Sequence, residues 1–104
     1  MPRYTIKYAP EVLGHLDAVE RKYHRLLRNL IEAQLCFSPE KPTRNRKLLE
    51  QPAPFSATWE LRGGPDNRFR VFYEIAHDET AVWILAIGVK QGNRLLVGKE
   101  EIEI

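Results

Sequence analysis

The run Phe55-Ser56-Ala57-Thr58-Trp59-Glu60-Leu61-Arg62, followed by Gly63-Gly64-Pro65-Asp66-Asn67 and then Phe69-Arg70-Val71-Phe72-Tyr73-Glu74-Ile75, decides the fold. Its first part alternates apolar and polar residues, so that Phe55, Ala57, Trp59 and Leu61 share one face of a strand and Ser56, Thr58, Glu60 and Arg62 the other. The two glycines supply positive φ, Pro65 supplies a fixed φ, and the β-rich run after them closes a hairpin. A second polar turn, His77-Asp78-Glu79-Thr80, leads into Ala81-Val82-Trp83-Ile84-Leu85-Ala86-Ile87-Gly88, which is apolar on both faces as a central strand is.

Registers follow from these turns. Symmetry about Pro65 predicts Glu60 opposite Arg70 and Arg62 opposite Arg68, which gathers charge on one face. Symmetry about Asp78 predicts that Val82, Ile84, Ala86 and Gly88 lie on that same face of the third strand, with Lys90 joining the rim of the charged cluster at its end.

Toward the N-terminus, Arg3 to Tyr8 alternates, with Tyr4, Ile6 and Tyr8 on one side, and Ala9-Pro10 stops this first strand. Pro10 and Glu11 suit the start of a helix, the first through its fixed φ and the second through the helix dipole. Val12, Leu13, Leu16 and Val19, then Tyr23, Leu26, Leu27, Leu30, Ile31 and Leu35, recur at helical spacing. The spacing predicts two antiparallel helices with a break near Glu20 to Lys22, and one long bent helix is the alternative. Ser38-Pro39-Glu40-Lys41-Pro42 ends the helical part. Thr43-Arg44-Asn45-Arg46-Lys47 is a short basic run before Leu48-Leu49, and Gln51 to Pro54 leads extended into the hairpin. After Lys90 comes a turn at Gly92-Asn93, an apolar piece Leu95-Leu96-Val97, and an acidic end in which Ile102 and Ile104 alternate with glutamates; no pattern there fixes a structure.

The order β-α-α-β-β-β is an α+β arrangement, an antiparallel sheet with an N-terminal helical hairpin packed on its Trp59/Leu61 face. The Glu60/Arg70 face is left open. A chain of 104 residues is expected to form one domain, 1–104. Its net charge of +2, from 16 cations and 14 anions, permits an anionic partner without arguing for one, so clustering has to carry that argument. Cys36 is the lone cysteine, which rules out an internal disulfide and fits a reducing compartment. With no apolar stretch approaching ~20 residues and no leader-like N-terminus, the expectation is a soluble, cytoplasmic protein with no membrane partner. His15, His24 and His77 have no second ligand at metal spacing, so neither a metal nor another cofactor is expected.

A strand ending in Ala9-Pro10, two helices, Lys47-Leu48-Leu49, Trp59-x-Leu61-Arg62, the hairpin run Arg68-Phe69-Arg70-Val71-Phe72-Tyr73-Glu74-Ile75 and a last strand ending in Gly88-x-Lys90 together resemble the RelE/ParE superfamily of bacterial toxins, over residues 3 to 90. The resemblance implies a small toxin held inactive by a cognate antitoxin. RelE-like members cut messenger RNA in the ribosomal A site, and ParE-like members poison DNA gyrase. By this resemblance Arg70 matches the hairpin arginine used on the scissile phosphate, and Lys90 stands where the last strand carries a catalytic arginine. Lysine there keeps the charge but loses the two-pronged guanidinium contact. Thr58 and Glu60 stand where RelE carries two lysines, Leu96 where it carries a late tyrosine, and no histidine follows the last strand.

Cleaving RNA through its 2′-hydroxyl needs a base for that hydroxyl, an acid for the leaving 5′-oxygen and positive charge at the phosphorane. Arg62, Arg68, Arg70 and Lys90 are candidates for the charge and Glu60 for the base; the plain alternative for Glu60 is an ion pair with Arg70. Arg44, Arg46 and Lys47 in the basic run, with Arg68 and Arg94, are candidates for RNA phosphates, against the alternative of a solvated loop. Tyr73 and Trp83 read as core. The expected function is thus a toxin of a toxin-antitoxin pair, acting as a ribosome-dependent messenger RNA endonuclease with the antitoxin, the ribosome and messenger RNA as partners. The alternatives are a gyrase inhibitor and a degenerate member that only binds its antitoxin. The open face and the Leu95-Leu96-Val97 segment are the expected docking surfaces.

Overall fold

Pairing of a short N-terminal strand, Thr5–Tyr8, with the strand that begins at Ala81 brings early and late parts of the sequence together. A computed structural model describes residues 2–102, so the expected alternation at Ile104 lies outside the described residues. The elements are β1 (Thr5–Tyr8), α1 (Val12–Asp17), α2 (His24–Leu35), β2 (Arg46–Leu48), β3 (Trp59–Gly63), β4 (Phe69–Ala76), β5 (Ala81–Gln91), β6 (Arg94–Val97) and β7 (Glu100–Ile102). Strands β2 to β7 follow one another as antiparallel neighbours, and β1 lies parallel to β5, with Thr5 opposite Ala81 and Tyr8 opposite Ile84. The chain therefore has the expected α+β fold, with the expected first strand β1 pairing in parallel rather than antiparallel, and with β2 and two strands in the tail added to the sheet.

The helical break falls where the spacing predicts it. A 3-10 turn at Arg21–Tyr23 separates α1 from α2, and the His24 ring closes the gap: its Nε2 lies 2.9 Å from the Val19 carbonyl and 2.9 Å from the Leu16 carbonyl, which also accepts the Val19 backbone N–H. Two carbonyls at that nitrogen require it to carry the proton. On α2, Leu27, Ile31 and Leu35 recur every four residues and are buried. They meet Trp59, Leu61, Val71 and Tyr73 of the sheet, so the Trp59/Leu61 face does receive the helices. Tyr73 stacks on Trp59 at 6.1 Å and donates its hydroxyl to the Pro39 carbonyl at 3.0 Å. Trp83, expected in the core with Tyr73, is only half-buried, with the Lys7 ammonium over its ring.

Three local expectations change. The strand expected from Phe55 begins only at Trp59, because Phe55 and Ser56 take left-handed φ values of 61° and 55° within a turn that Pro54 opens. The first hairpin is centred on Asp66 rather than Pro65: Gly64 turns at φ 81°, Asp66 and Asn67 follow at 56° and 51°, and the register becomes Arg62 opposite Arg70 and Glu60 opposite Phe72. In the second hairpin a bulge between Phe72 and Tyr73 shifts the pairing by one residue, from Phe72 opposite Ala86 to Tyr73 opposite Ile84. Such a slip exchanges faces. Val82 and Ile84 accordingly pack on the helix side, while Ala86 and Gly88 stay on the side of Arg70.

That second side is less open than expected. Phe72, Ala86 and Ala57 form a second apolar cluster, closed by Leu95 and Val97 from β6 and by Ile102 from β7. Gly88 makes the approach possible, since a Cβ there would stand 2.9 Å from the Val97 side chain. Leu95 and Val97 are thus buried within the fold and do not form a docking surface.

Candidate functional site

The charged end of the sheet is built by the first hairpin and the end of β5. Arg62 and Arg70 face each other across β3 and β4, and the next position along Arg70's row is Gly88. Arg70 is buried, and its Nη1 donates to the turn carbonyl of Asn67 and, at 3.3 Å, to that of Phe69. This anchoring fixes the plane of the guanidinium before any ligand arrives. Burial, followed by the nearby Arg62 charge, holds the Arg70 guanidinium below the usual arginine value, and the Glu60 carboxylate acts the other way. A buried cation facing a second cation is an arrangement that gains from an anion.

Arg70 lines a cleft of about 480 Å³ together with Arg68, Lys90, Asp66, Asn67 and Gln91. The Lys90 backbone N–H donates to the Arg68 carbonyl at 2.7 Å, which fixes the end of β5 against the turn. Three of the expected cations, Arg68, Arg70 and Lys90, therefore share one concavity. Glu60 does not line it. That carboxylate is buried and accepts from Arg62 Nε at 2.8 Å, so it forms an ion pair with Arg62 on its own strand instead of the expected cross-strand pair with Arg70.

The remaining candidates divide. Lys47 stands opposite Glu60 on β2, and with Arg44, Arg46 and Arg62 it lines a smaller cleft of about 200 Å³. Arg46 borders this cleft, but its guanidinium, expected to contact RNA, reaches toward the helices. It is 8% exposed, and its Nη1 donates to the carbonyls of Gln34 at 2.8 Å and Ser38 at 3.0 Å, closing the end of α2. A basic residue in a basic loop gave no sign of this, and only its pairing with Leu61 sends it inward. Arg94 is exposed, pairs with Glu101 at 2.7 Å and lines a separate cleft on the helix side. Leu96, at the position of the late tyrosine, lines that second cleft also and not the one holding Arg70.

Sequence reasoning missed Asp66 and Asn67, which read as plain turn residues. Their place in the turn between Gly64 and Arg68, one residue short of two cations, was the available signal. It becomes meaningful only once the hairpin is centred on Asp66, because that register turns the tip of the hairpin into a wall of the cleft.

No protein-family model matches the chain, and no curated protein matches its sequence. Among solved structures it is similar to a chain in the crystal structure of the toxin-antitoxin complex RelBE2 from Mycobacterium tuberculosis, with a TM-score of 0.69 and 21% sequence identity, over 86% of this chain and 94% of that one. The likeness shows a shared fold. No helix among the described residues is long and apolar enough to cross a membrane.

Proposed function

We propose that the chain is the toxin component of a toxin-antitoxin module, a single domain that cleaves messenger RNA on the ribosome. The observation that carries this reading is the buried, pre-oriented Arg70 in a cleft it shares with Arg68 and Lys90. The fold shared with a chain of a toxin-antitoxin complex supports the antitoxin half of it. In the proposed reaction the scissile phosphate sits between Arg70 and Lys90, whose charges stabilise the phosphorane as it forms. Arg68 holds the strand at the mouth. Asp66 is the carboxylate of the cleft and accepts the 2′-hydroxyl proton, the Lys90 ammonium gives a proton to the 5′-oxygen as its bond to phosphorus breaks, and Glu60 fixes Arg62 beside the site. Lys47, Arg44 and Arg62 carry the strand onward along the sheet face.

The antitoxin's place in this reading moves from the buried Leu95 and Val97 to the groove of about 490 Å³ along Tyr8, Leu13 and Leu16. Leu13 is 72% exposed there, and Arg28 and Glu32 flank the groove, which suits an amphipathic helix. A second reading, gyrase inhibition or antitoxin binding alone, is favoured by one observation. Glu60 and Thr58 stand at the positions where the resemblance calls for lysines, and Glu60 neutralises one of the cations present.

Primer extension on messenger RNA in a translation extract decides between them, with Arg70→Ala alongside and a ribosome-free control. Cleavage in the A-site codon that needs ribosomes and Arg70 is the expected result. Intact messenger with natively folded protein would sink the nuclease reading and leave the second.

A further inference from the structure

The cleft on the helix side of Arg68 is not accounted for by phosphate chemistry. It lies between the end of α1, the Arg21–Tyr23 turn and the β5–β6 hairpin, and holds about 290 Å³. Its floor is apolar, made by Val19, Phe69, Ile87, Val89 and Leu96. One wall is the Tyr23 ring, which meets Phe69 edge to face at 5.4 Å and carries the Arg68 guanidinium 5.7 Å from its centroid. The rim is cationic, with Arg68, Arg94 and Lys99, and Glu20 is the single carboxylate lining it. Arg94 is already engaged by Glu101, whereas Lys99 has no ion pair among the described residues.

An apolar floor, an aromatic wall and a cationic rim are what a planar ring attached to an anion needs, since every base has a π-face and arginine stacks on aromatic planes. The volume is at the small end for ligand pockets, which suits one such ring and excludes a large ligand. The neighbourhood narrows the choice. This cleft and the Arg70 cleft share Arg68, Val89 and Gln91, so a ring in one and a phosphate in the other lie on either side of one arginine.

We infer that the helix-side cleft receives a single nucleobase of the RNA strand whose phosphate is held at Arg70, and that it is the place where the protein reads the strand. The inference rests on the nucleic-acid reading of the Arg70 cleft but not on cleavage. Leu96 sets its depth. The position where the resemblance calls for a tyrosine has thus become part of a base pocket, with Tyr23 supplying the aromatic surface from the other side.

The test is binding followed by amide NMR, using 2′-O-methylated dinucleoside monophosphates of each base, which cannot be cut through the 2′-oxygen, and ribose 5-phosphate as the baseless control. The expected result is binding at least tenfold tighter than ribose 5-phosphate, differing among the four bases, with shifts at Val89, Gly98 and Lys99. Leu96→Trp, which fills the cleft, should remove that tenfold gain, and Lys99→Glu at the exposed rim should weaken binding several-fold without touching the floor. Arg70→Ala should weaken binding while the shifts at Gly98 persist at saturation. Equal binding of the baseless control, or shifts confined to Asp66, Asn67 and Lys90, would overturn the inference. So would nucleoside 5′-monophosphates binding as tightly as the dinucleotides with Arg70→Ala silent, the signature of a free-nucleotide site. Base-dependent binding with messenger left intact in the translation assay sinks the nuclease reading alone; cleaved messenger with this cleft silent sinks the base pocket alone.

Discussion

Arg62 and Arg70 stand directly opposite each other on β3 and β4, and the carboxylate that tempers them, Glu60, belongs to the same strand as Arg62 and lies 2.8 Å from its Nε. Like charges directly opposite one another destabilise a sheet pair. The chain keeps them together by tying one to the turn carbonyls of Asn67 and Phe69 and giving the other an acidic partner two residues away. Glu60→Gln should therefore lower stability by about 1 kcal/mol at low salt, and less at high salt, as read from urea midpoints. In an Arg62→Gln background the same change should cost markedly less, a coupling a double-mutant cycle would report. Equal costs in both backgrounds would show that Glu60 is not there for Arg62.

Arg70 combines a structural bond to the turn with its proposed place on the phosphate. Arg70→Lys keeps a charge but loses the planar fork, and should reduce ribosome-dependent cleavage by about 100-fold or more, the scale of losing one transition-state donor. The folded fraction should stay high by circular dichroism. Cleavage within a few-fold of the parent would remove Arg70 from the proposed chemistry.

Arg46 and Lys47 are neighbours in sequence with opposite fates. Arg46→Ala deletes charge-assisted bonds to the Gln34 and Ser38 carbonyls and should cost about 2 to 3 kcal/mol in unfolding free energy. Lys47→Ala should cost under about 0.5 kcal/mol, yet reduce the slope of RNA affinity against salt by about one. If the salt slope followed Arg46 instead, the assignment of the two would be reversed.

His15 gives the fold a pH dependence of known sign. Its Nδ1 accepts the Ile87 backbone N–H at 3.3 Å, which only an unprotonated Nδ1 can do. Burial lowers its pKa from the ordinary 6.5, with Glu11 pulling the other way, and Glu20, Arg68, Arg94 and Lys99 are the charged groups around the adjoining cleft. The unfolded chain binds the proton more readily, so this contribution is complete above about pH 6.5 and is lost as pH falls through the lower folded value. Thermal midpoints of the parent should fall across that window more steeply than those of His15→Gln. Parallel curves would exclude His15 as the source.

Much of the architecture was written in local pattern. The Trp59/Leu61 alternation, the recurrence of Leu27, Ile31 and Leu35, and the break before Tyr23 each follow from a period that survives folding. What pattern could not show was anything set by a slip of one residue in an unpatterned run. Ala81 to Gly88 is apolar on both faces, so nothing in it marks the bulge that sends Val82 and Ile84 to one side and Ala86 to the other. Centring the first hairpin on Asp66 depended on left-handed φ at two non-glycine residues. Within the candidate site, Arg70 and Lys90 were legible by type and position, whereas the inward turn of Arg46 and the capture of Glu60 by Arg62 depend on contacts between side chains.

The parallel pairing of Thr5 with Ala81 also bears on how the protein is made. Synthesis runs from the N-terminus, and contacts of long sequence separation form last. The first strand must therefore wait, unpaired, until β5 has left the ribosomal tunnel, and the cleft that needs Lys90 at the far end of β5 closes only then. A chain interrupted between Arg70 and Lys90 carries the arginine but no finished pocket around it, so such a product is expected to lack whatever binding the pocket supplies.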